Sequence, residues 1–128
     1  MVPASNDERP PIWVGHILLG ATDVATSNDY FVKLGMRHIV SGEGFAVLEM
    51  RGGTHLVLTA LADSPPEGSL ASFDIMVEDV EAARIQYDKL GFEPSEIEDG
   101  DIHRSFKLRD PSGYILTVNS SHVSEFPV

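Results

Sequence analysis

TDVATSNDYFVKLGM (22–36) and EDVEAARIQYDKLGF (78–92) are two copies of one pattern in a chain of 128 residues. Asp23 matches Asp79, and the Lys-Leu-Gly triplet at 33–35 recurs at the same spacing of 56 residues. An acidic residue before the first turn and a glycine after the last turn are typical of the two ends of a helix. The sequence therefore predicts one helix in each half.

β-like segments surround both predicted helices. An apolar run precedes each helix, and three shorter segments follow it. In the first half these segments are HILLGA (16–21), RHIVS (37–41), FAVLEM (45–50) and HLVLTA (55–60). In the second half they are FDIMV (73–77), EPSEIE (93–98), HRSFKL (103–108) and YILTVNS (114–120). The spacing between matched residues grows to 60 there, which places four extra residues in a loop around 98–102.

This order of elements predicts an α+β fold made of tandem βαβββ modules. We expect one domain over residues 12–120, with modules at 12–60 and 71–120 joined by LADSPPEGSL (61–70). Residues 1–11 and 121–128 are predicted to be tails. One apolar stripe on each helix, such as Val80, Ala83, Tyr87 and Leu90 on the second, is predicted to face a sheet.

Composition limits the partners of the chain. The net charge is −11, from 20 acidic and 9 basic residues, which argues against nucleic acid and favours a cationic ligand. Cysteine is absent, so disulfides and thiolate metal sites are excluded. No apolar run is long enough to span a membrane, and the acidic N-terminus lacks the features of a signal peptide. We therefore expect a cytoplasmic protein with no membrane partner.

The repeat, the LGM and LGF after its helices, and LRDPSGY (108–114) before the last strand resemble the vicinal oxygen chelate superfamily. That group includes glyoxalase I, extradiol dioxygenases, fosfomycin-modifying enzymes and bleomycin-resistance proteins. The resemblance covers residues 12–120 and implies two modules whose sheets curl around a cleft. It also implies a homodimer, because a second chain often completes that cleft.

Enzymes of this superfamily hold a divalent metal through up to four side chains, one on the first and one on the last strand of each module. By resemblance, those positions are His16, Val57, Ser72 and Thr117 in this chain. Valine has no donor atom, and the two hydroxyls are weak neutral ligands, so only His16 is retained. A single imidazole does not hold a divalent ion against water. We therefore expect no metal and no other cofactor.

Side chains alternate between the two faces of a strand, so these four positions define which neighbours share the cleft. The resemblance adds Ser105 and Lys107, and continued alternation adds His103. The predicted ligand-binding cleft contains His16, His55, Val57, Ser72, Asp74, Ser105, Lys107, Thr117 and Asn119. Asp74 and Lys107 have an alternative role as an ion pair. Trp13 falls on the helix side, which favours packing in the core or at a dimer interface.

Three functions remain open. The first is a metal-free protein, similar to the bleomycin-resistance branch, that sequesters an antibiotic or metabolite of cationic or planar shape. The second is a divergent lyase, isomerase or dioxygenase, with a rearranged metal site or with His16 or His55 as an acid–base catalyst. The third is a dimeric interaction domain without a ligand. Metal content separates the first two, and a ligand in the cleft separates the first from the third.

Overall fold

The computed structural model describes residues 7–128, so the first six residues of the predicted N-terminal tail lie outside the described part. The first half contains β1 (His16–Ala21), α1 (Val24–Leu34), β2 (Arg37–Gly42), β3 (Phe45–Glu49) and β4 (His55–Ala60). The second half contains β5 (Ile75–Val77), α2 (Val80–Lys89), β6 (Glu98–Asp99), β7 (Arg104–Arg109) and β8 (Ile115–Ser120). The predicted α+β fold of tandem βαβββ modules is confirmed.

Each half forms its own four-stranded mixed sheet, and both sheets have the same topology. The strand orders are β1-β4-β3-β2 and β5-β8-β7-β6. The first and last strands of each half pair in parallel, whereas the other pairs are antiparallel. The parallel pair requires a long crossover, which the helix and two intervening strands supply in both halves.

The helix ends follow the chemistry that the repeated sequence predicts. The Asp23 carboxylate accepts a hydrogen bond from the Thr26 amide at 3.1 Å, and Asp79 accepts one from Ala82 at 2.9 Å. Gly35 and Gly91, after the two helices, have φ angles of 130° and 82°. These values lie where a β-carbon is unfavourable, which explains the glycine in each Leu-Gly pair.

One apolar core lies between the two helices and the inner faces of both sheets. Its largest fully buried side chains are Phe31, Phe106, Leu48, Leu56, Leu58, Leu116 and Val118. Contacts cross between the halves, because the Tyr87 hydroxyl donates to the Leu34 carbonyl oxygen at 2.8 Å. The rings of Tyr30 and Phe92 also cross this boundary, with centroids 4.5 Å apart. The two modules therefore share a single core.

The edge of the first sheet and the start of the second module meet at a seam. The Ser72 hydroxyl, just before β5, donates to the Leu18 carbonyl oxygen of β1. Near the other end of β1, the Thr22 amide donates to the Ser112 hydroxyl at 3.0 Å. The helices cover one face of each sheet. We call the opposite face the open face.

The second module departs from its predicted strands near its outer edge. The segment predicted as a strand over 93–98 overlaps a regular strand only at Glu98, where the two-residue β6 begins. Pro94 cannot donate to a ladder, and Glu93 has a φ of 53°, which is incompatible with an extended strand. The Ser95 amide still donates to the Lys107 carbonyl oxygen at 2.9 Å, so the segment follows β7 without forming a regular strand.

Two predicted core positions are exposed. Leu90 lies just after α2 and is 42% exposed. Because the helix ends at Lys89, the helical spacing that would place Leu90 on the apolar face of α2 no longer applies. Trp13 precedes β1, where no strand fixes its direction, and is 71% exposed. Packing of Trp13 in the core of its own chain is therefore wrong, and its packing at a dimer interface stays a prediction.

Candidate functional site

Alternation along the strands places the predicted cleft residues on the open face. In β1, Leu19 is buried against the helices, whereas His16 and Leu18 are exposed on the other side. In β8, Leu116 and Val118 are buried in the core, and Thr117 lies between them on the opposite face. The sequence therefore assigned the correct face to these side chains, although this placement does not by itself show that they bind a ligand.

The first sheet presents a line of charged and imidazole side chains, which we call the imidazole row: Arg37, Glu49, His55 and His16. His16 and His55 are register partners on adjacent parallel strands, and their ring centroids are 5.7 Å apart. His55 Nε2 lies 3.0 Å from Glu49 Oε2. Arg37 forms an ion pair with the same carboxylate. The hydrogen bond from Arg37, and to a smaller extent the one from His55, lowers the pKa of Glu49.

The second sheet presents mostly amide and hydroxyl groups. The Asn119 side-chain amide donates to Asp74 Oδ2 at 2.9 Å. Ser105 is the register partner of Asn119, and Lys107 is the partner of Thr117. The alternative ion pair between Asp74 and Lys107 does not form, because β8 lies between the strand of Lys107 and the segment that leads into β5.

The fold and this arrangement of faces match solved structures, although no family model and no curated protein matches the sequence. A lactoylglutathione lyase from Agrobacterium tumefaciens superposes with a TM-score of 0.71 at 17% identity, covering 88% of this chain and 96% of that chain. A bleomycin-binding protein complexed with bleomycin gives 0.69 at 18% identity, covering 87% and 99%. This chain has the glyoxalase/bleomycin-resistance fold.

A third structure with this fold is a glyoxalase/bleomycin resistance protein/dioxygenase from Alicyclobacillus acidocaldarius. Its TM-score is 0.68 at 23% identity, covering 90% of this chain and 96% of that one. The predicted resemblance to the vicinal oxygen chelate superfamily is thus confirmed at the level of the fold. Identities of this size do not transfer an activity or a ligand. Over residues 7–128, no helix is long and apolar enough to cross a membrane.

The four positions that the sequence resemblance assigned to metal ligands lie in different surroundings. His16 is exposed beside His55, and Val57 is half-buried next to Leu18. The Ser72 hydroxyl is committed to the Leu18 carbonyl, and Thr117 is half-buried between Lys107 and the edge of β5. Within residues 7–128, no three His, Asp or Glu side chains are arranged to hold a metal ion.

His103, which continued alternation added to the predicted cleft, contacts the end of β8 and the C-terminal segment. Its Nδ1 lies 3.3 Å from the Ser120 carbonyl oxygen, and its ring packs against His122 with centroids 4.2 Å apart. His103 comes just before β7 begins at Arg104, so continued alternation along the strand no longer determines its direction.

Glu49 and Arg37 are the residues of the open face that sequence reasoning missed. Both lie on strands without a metal position in the superfamily, so the resemblance gave no reason to include them. The signal was nevertheless present in the hairpin between β3 and β4. The antiparallel register pairs Glu49 with His55 and Val47 with Val57, so any side chain opposite a predicted cleft residue shares its face.

Proposed function

We propose that this protein binds a small molecule on the open faces of its sheets without using a metal ion. The observation that carries the proposal is a polar frame around an apolar strip on these faces. The imidazole row and Asp74, which the buried Asn119 amide orients, supply hydrogen-bonding groups, whereas Leu18 and Met76 expose apolar surface. A largely apolar surface with a few placed polar groups is the usual composition of a small-molecule site.

The metal-free part of the proposal rests on the chemistry of the donor atoms. Val57 offers no lone pair, and the hydroxyls of Ser72 and Thr117 are neutral. A divalent cation needs charged oxygen or strong nitrogen donors to offset the loss of its water. His16 alone does not meet that requirement at these positions.

The ligand class that fits is a planar or cationic molecule. Glu49 and Asp74 provide acidic acceptors on the two sheets, and His16 and His55 provide flat ring surfaces. The net charge of −11 attracts cations over a longer range. A solved neighbour of this fold is complexed with bleomycin, which supports sequestration of an antibiotic or metabolite as the role.

A homodimer is part of this proposal, because a single chain leaves large apolar side chains exposed beside the open face. Large apolar side chains are exposed before β1, on β1 and around β5: Ile12, Trp13, Val14, Leu18, Leu70 and Met76. Twofold pairing buries such a patch on both copies at once and closes the open face over a ligand. Light scattering should give a mass twice the 14.0 kDa of the chain, and a mass equal to one chain would contradict the dimer.

The binding test uses planar cations, with ethidium and acridine orange as probes in calorimetric titrations. We expect saturable binding that His16→Ala and His55→Ala each weaken by tenfold or more. Glu67→Gln in the exposed linker serves as the control and should bind normally. Equal affinity in all four proteins would contradict an open-face site.

Metal content is measured on the same preparations. We expect less than stoichiometric Zn, Ni, Fe and Mn in the wild-type protein. A combined Ser72→His and Thr117→Glu variant should gain metal affinity, because it adds a nitrogen and a carboxylate donor to the position of His16. Stoichiometric metal in the native protein that disappears in His16→Ala would overturn the metal-free proposal.

Acid–base catalysis is the second candidate, and the contact between His55 and Glu49 favours it. A carboxylate 3.0 Å from an imidazole nitrogen fixes the orientation of the ring and its tautomer. Such a pair could move a proton on a carbon next to a carbonyl group. The test is turnover of the hemithioacetal of methylglyoxal and glutathione in a buffer with chelator. Turnover that is lost in His55→Ala and reduced in Glu49→Gln would favour catalysis over sequestration.

A further inference from the structure

Two basic side chains lie next to each other on the open face of the second sheet. Phe106 and Leu108 of β7 are buried in the core. Alternation along the strand therefore directs Lys107 and Arg109 to the opposite face, where both are exposed. We call these two residues the basic pair. Their Cα atoms are about 7 Å apart along the strand, so two like charges lie close together and repel each other unless an anion lies between them.

The other basic residues of the chain have a compensating partner. Five arginines form ion pairs: Arg9 with Asp7, Arg37 with Glu49, Arg51 with Glu78, Arg84 with Glu96, and Arg104 with Glu81 and Asp99. Lys33 and Lys89 lie in the last turns of α1 and α2, where the helix dipole favours a positive charge. Every acidic residue of the chain lies within residues 7–128, and none of them forms an ion pair with the basic pair.

The acids on the same face are held away from the basic pair. Asp74 lies on the far side of β8 and accepts a hydrogen bond from the Asn119 amide at 2.9 Å. Glu98 is the register partner of Ser105, which is two residues from Lys107 along β7. An internal salt bridge therefore does not occupy the space between the two positive charges.

An apolar row and a hydroxyl lie beside the basic pair. Ile115 is the register partner of Arg109, and Leu70 pairs with Ile115 in a parallel bridge, so the three side chains share one row across the face. Leu70 is 67% exposed at the end of this row. Thr117 is the register partner of Lys107 and adds a hydroxyl to the neighbouring row. The surface thus changes from positive to apolar over the width of three strands.

We propose that this surface binds the anionic group of an amphipathic ligand, which is a carboxylate or a phosphate. The anion lies between Lys107 and Arg109, and the apolar part of the ligand lies on Ile115 and Leu70. The planar guanidinium of Arg109 matches two oxygens of such a group, and the Thr117 hydroxyl donates to an oxygen of the same anion. The inference rests on the proposed function, because it adds an anionic group to a planar ligand of the same open faces.

Four probes with one naphthalene ring test the charge of the ligand. The anions are 2-naphthoate and 2-naphthyl phosphate, and the neutral and cationic controls are 2-naphthalenemethanol and 2-naphthylmethylamine. We expect at least one anion to bind saturably in a calorimetric titration, at least tenfold more tightly than either control. The net charge of −11 favours the opposite order at long range, so a preference for an anion requires a local site.

Substitutions in the basic pair test the contacts. Lys107→Gln and Arg109→Gln should each weaken the better anion tenfold or more, and should leave the neutral alcohol unchanged. Arg109→Lys keeps the charge without the guanidinium and should recover part of the loss. Lys89→Gln removes the same charge from the exposed end of α2 and is the control, which should bind normally. Leu70→Ala should weaken all four probes alike, because they share the ring.

The ethidium titration of the proposed function separates two kinds of failure. Ethidium binding that depends on His16, together with anions that bind no more tightly than the alcohol, would overturn this inference alone. Absence of binding by every probe, ethidium and acridine orange included, would overturn both. Unchanged anion affinity in Lys107→Gln and Arg109→Gln, or an equal loss in Lys89→Gln, would also overturn the inference.

Discussion

The open faces of the two sheets differ far more than the scaffolds that carry them. The first sheet has the imidazole row, in which Arg37, Glu49 and His55 contact one another. The second sheet has an uncharged amide bonded to Asp74 and a lysine that pairs with no acid on that face. The helix caps, the strand order and the parallel closing pair are nevertheless the same in both halves. The repeat therefore specifies the scaffold, and the differences between its copies specify the chemistry.

The matched positions 31 and 87 show the same contrast inside the core. Phe31 is fully buried and purely apolar, whereas Tyr87 is buried with its hydroxyl donating to the Leu34 carbonyl oxygen. Leu34 belongs to the other module, so the copy with the hydroxyl also joins the two halves. Phe31 therefore only fills the core, whereas Tyr87 fills the core and also links the two modules through a hydrogen bond.

Removal of the Phe31 ring should produce the largest effect. Phe31→Ala leaves a cavity in the shared core and should lower the free energy of unfolding by about 3–5 kcal/mol. Urea denaturation followed by circular dichroism measures the change. Val32→Ala is the matched control, because Val32 is the next residue of α1 and is 41% exposed; it should change the value by less than about 0.5 kcal/mol. A similar loss in both variants would contradict the described core.

An exchange of the two aromatic types tests whether the hydroxyl is specific to the second module. Phe31→Tyr buries a hydroxyl that has no partner at the equivalent place, and should lower the free energy of unfolding by about 1–3 kcal/mol. Tyr87→Phe leaves the Leu34 carbonyl without this donor and should lower it by about 1 kcal/mol. The same urea experiment measures both. A gain in stability from Phe31→Tyr would show that the two positions are interchangeable.

The sequence predicted the scaffold well because repeated local signals carry it. Asp23, Asp79 and the two Leu-Gly pairs mark helix ends through hydrogen bonds within a few residues, and the strands alternate with a period of two. The outer edge of the second sheet was less predictable. There the segment 93–98 is polar and has only a weak preference for a strand, and Pro94 and the left-handed backbone of Glu93 prevent a regular strand from forming.

The candidate site was predictable in its faces but not in its contacts. Alternation placed His16, His55 and Thr117 correctly, but the partner of His55 depends on which strand lies alongside β4. That partner, Glu49, follows from the register of a hairpin and not from any superfamily position. The ring contact between Tyr30 and Phe92 likewise depends on packing between the modules, which neither segment encodes locally.

The helix caps are expected to contribute equally, which tests how closely the two copies match. Asp23→Ala and Asp79→Ala each remove one side-chain acceptor from a first-turn amide, at 3.1 and 2.9 Å. Each should lower the free energy of unfolding by about 1 kcal/mol. The exchange Asp29→Ala, in the exposed middle of α1, is the control and should have little effect. Losses that differ by more than about 1 kcal/mol would show that one module depends more on its cap.

The charge contrast between the open faces predicts a small dependence of stability on pH that resides in the first sheet. Arg37 and His55 lower the pKa of Glu49 in the folded protein below its ordinary value of 4.5. Folding therefore gains stability from this carboxylate above its ordinary pKa and loses it as the pH falls through the lower, folded value. Glu49→Gln removes the group that titrates. The melting temperature of the wild type should exceed that of Glu49→Gln at pH 7, and the difference should shrink as the pH falls from 5 to 3.

Glu43→Gln in the exposed turn between β2 and β3 is the control and should follow the wild type at every pH. A constant difference between wild type and Glu49→Gln over this range would mean that Glu49 gains nothing from Arg37 and His55, and that the imidazole row is a surface arrangement without electrostatic coupling.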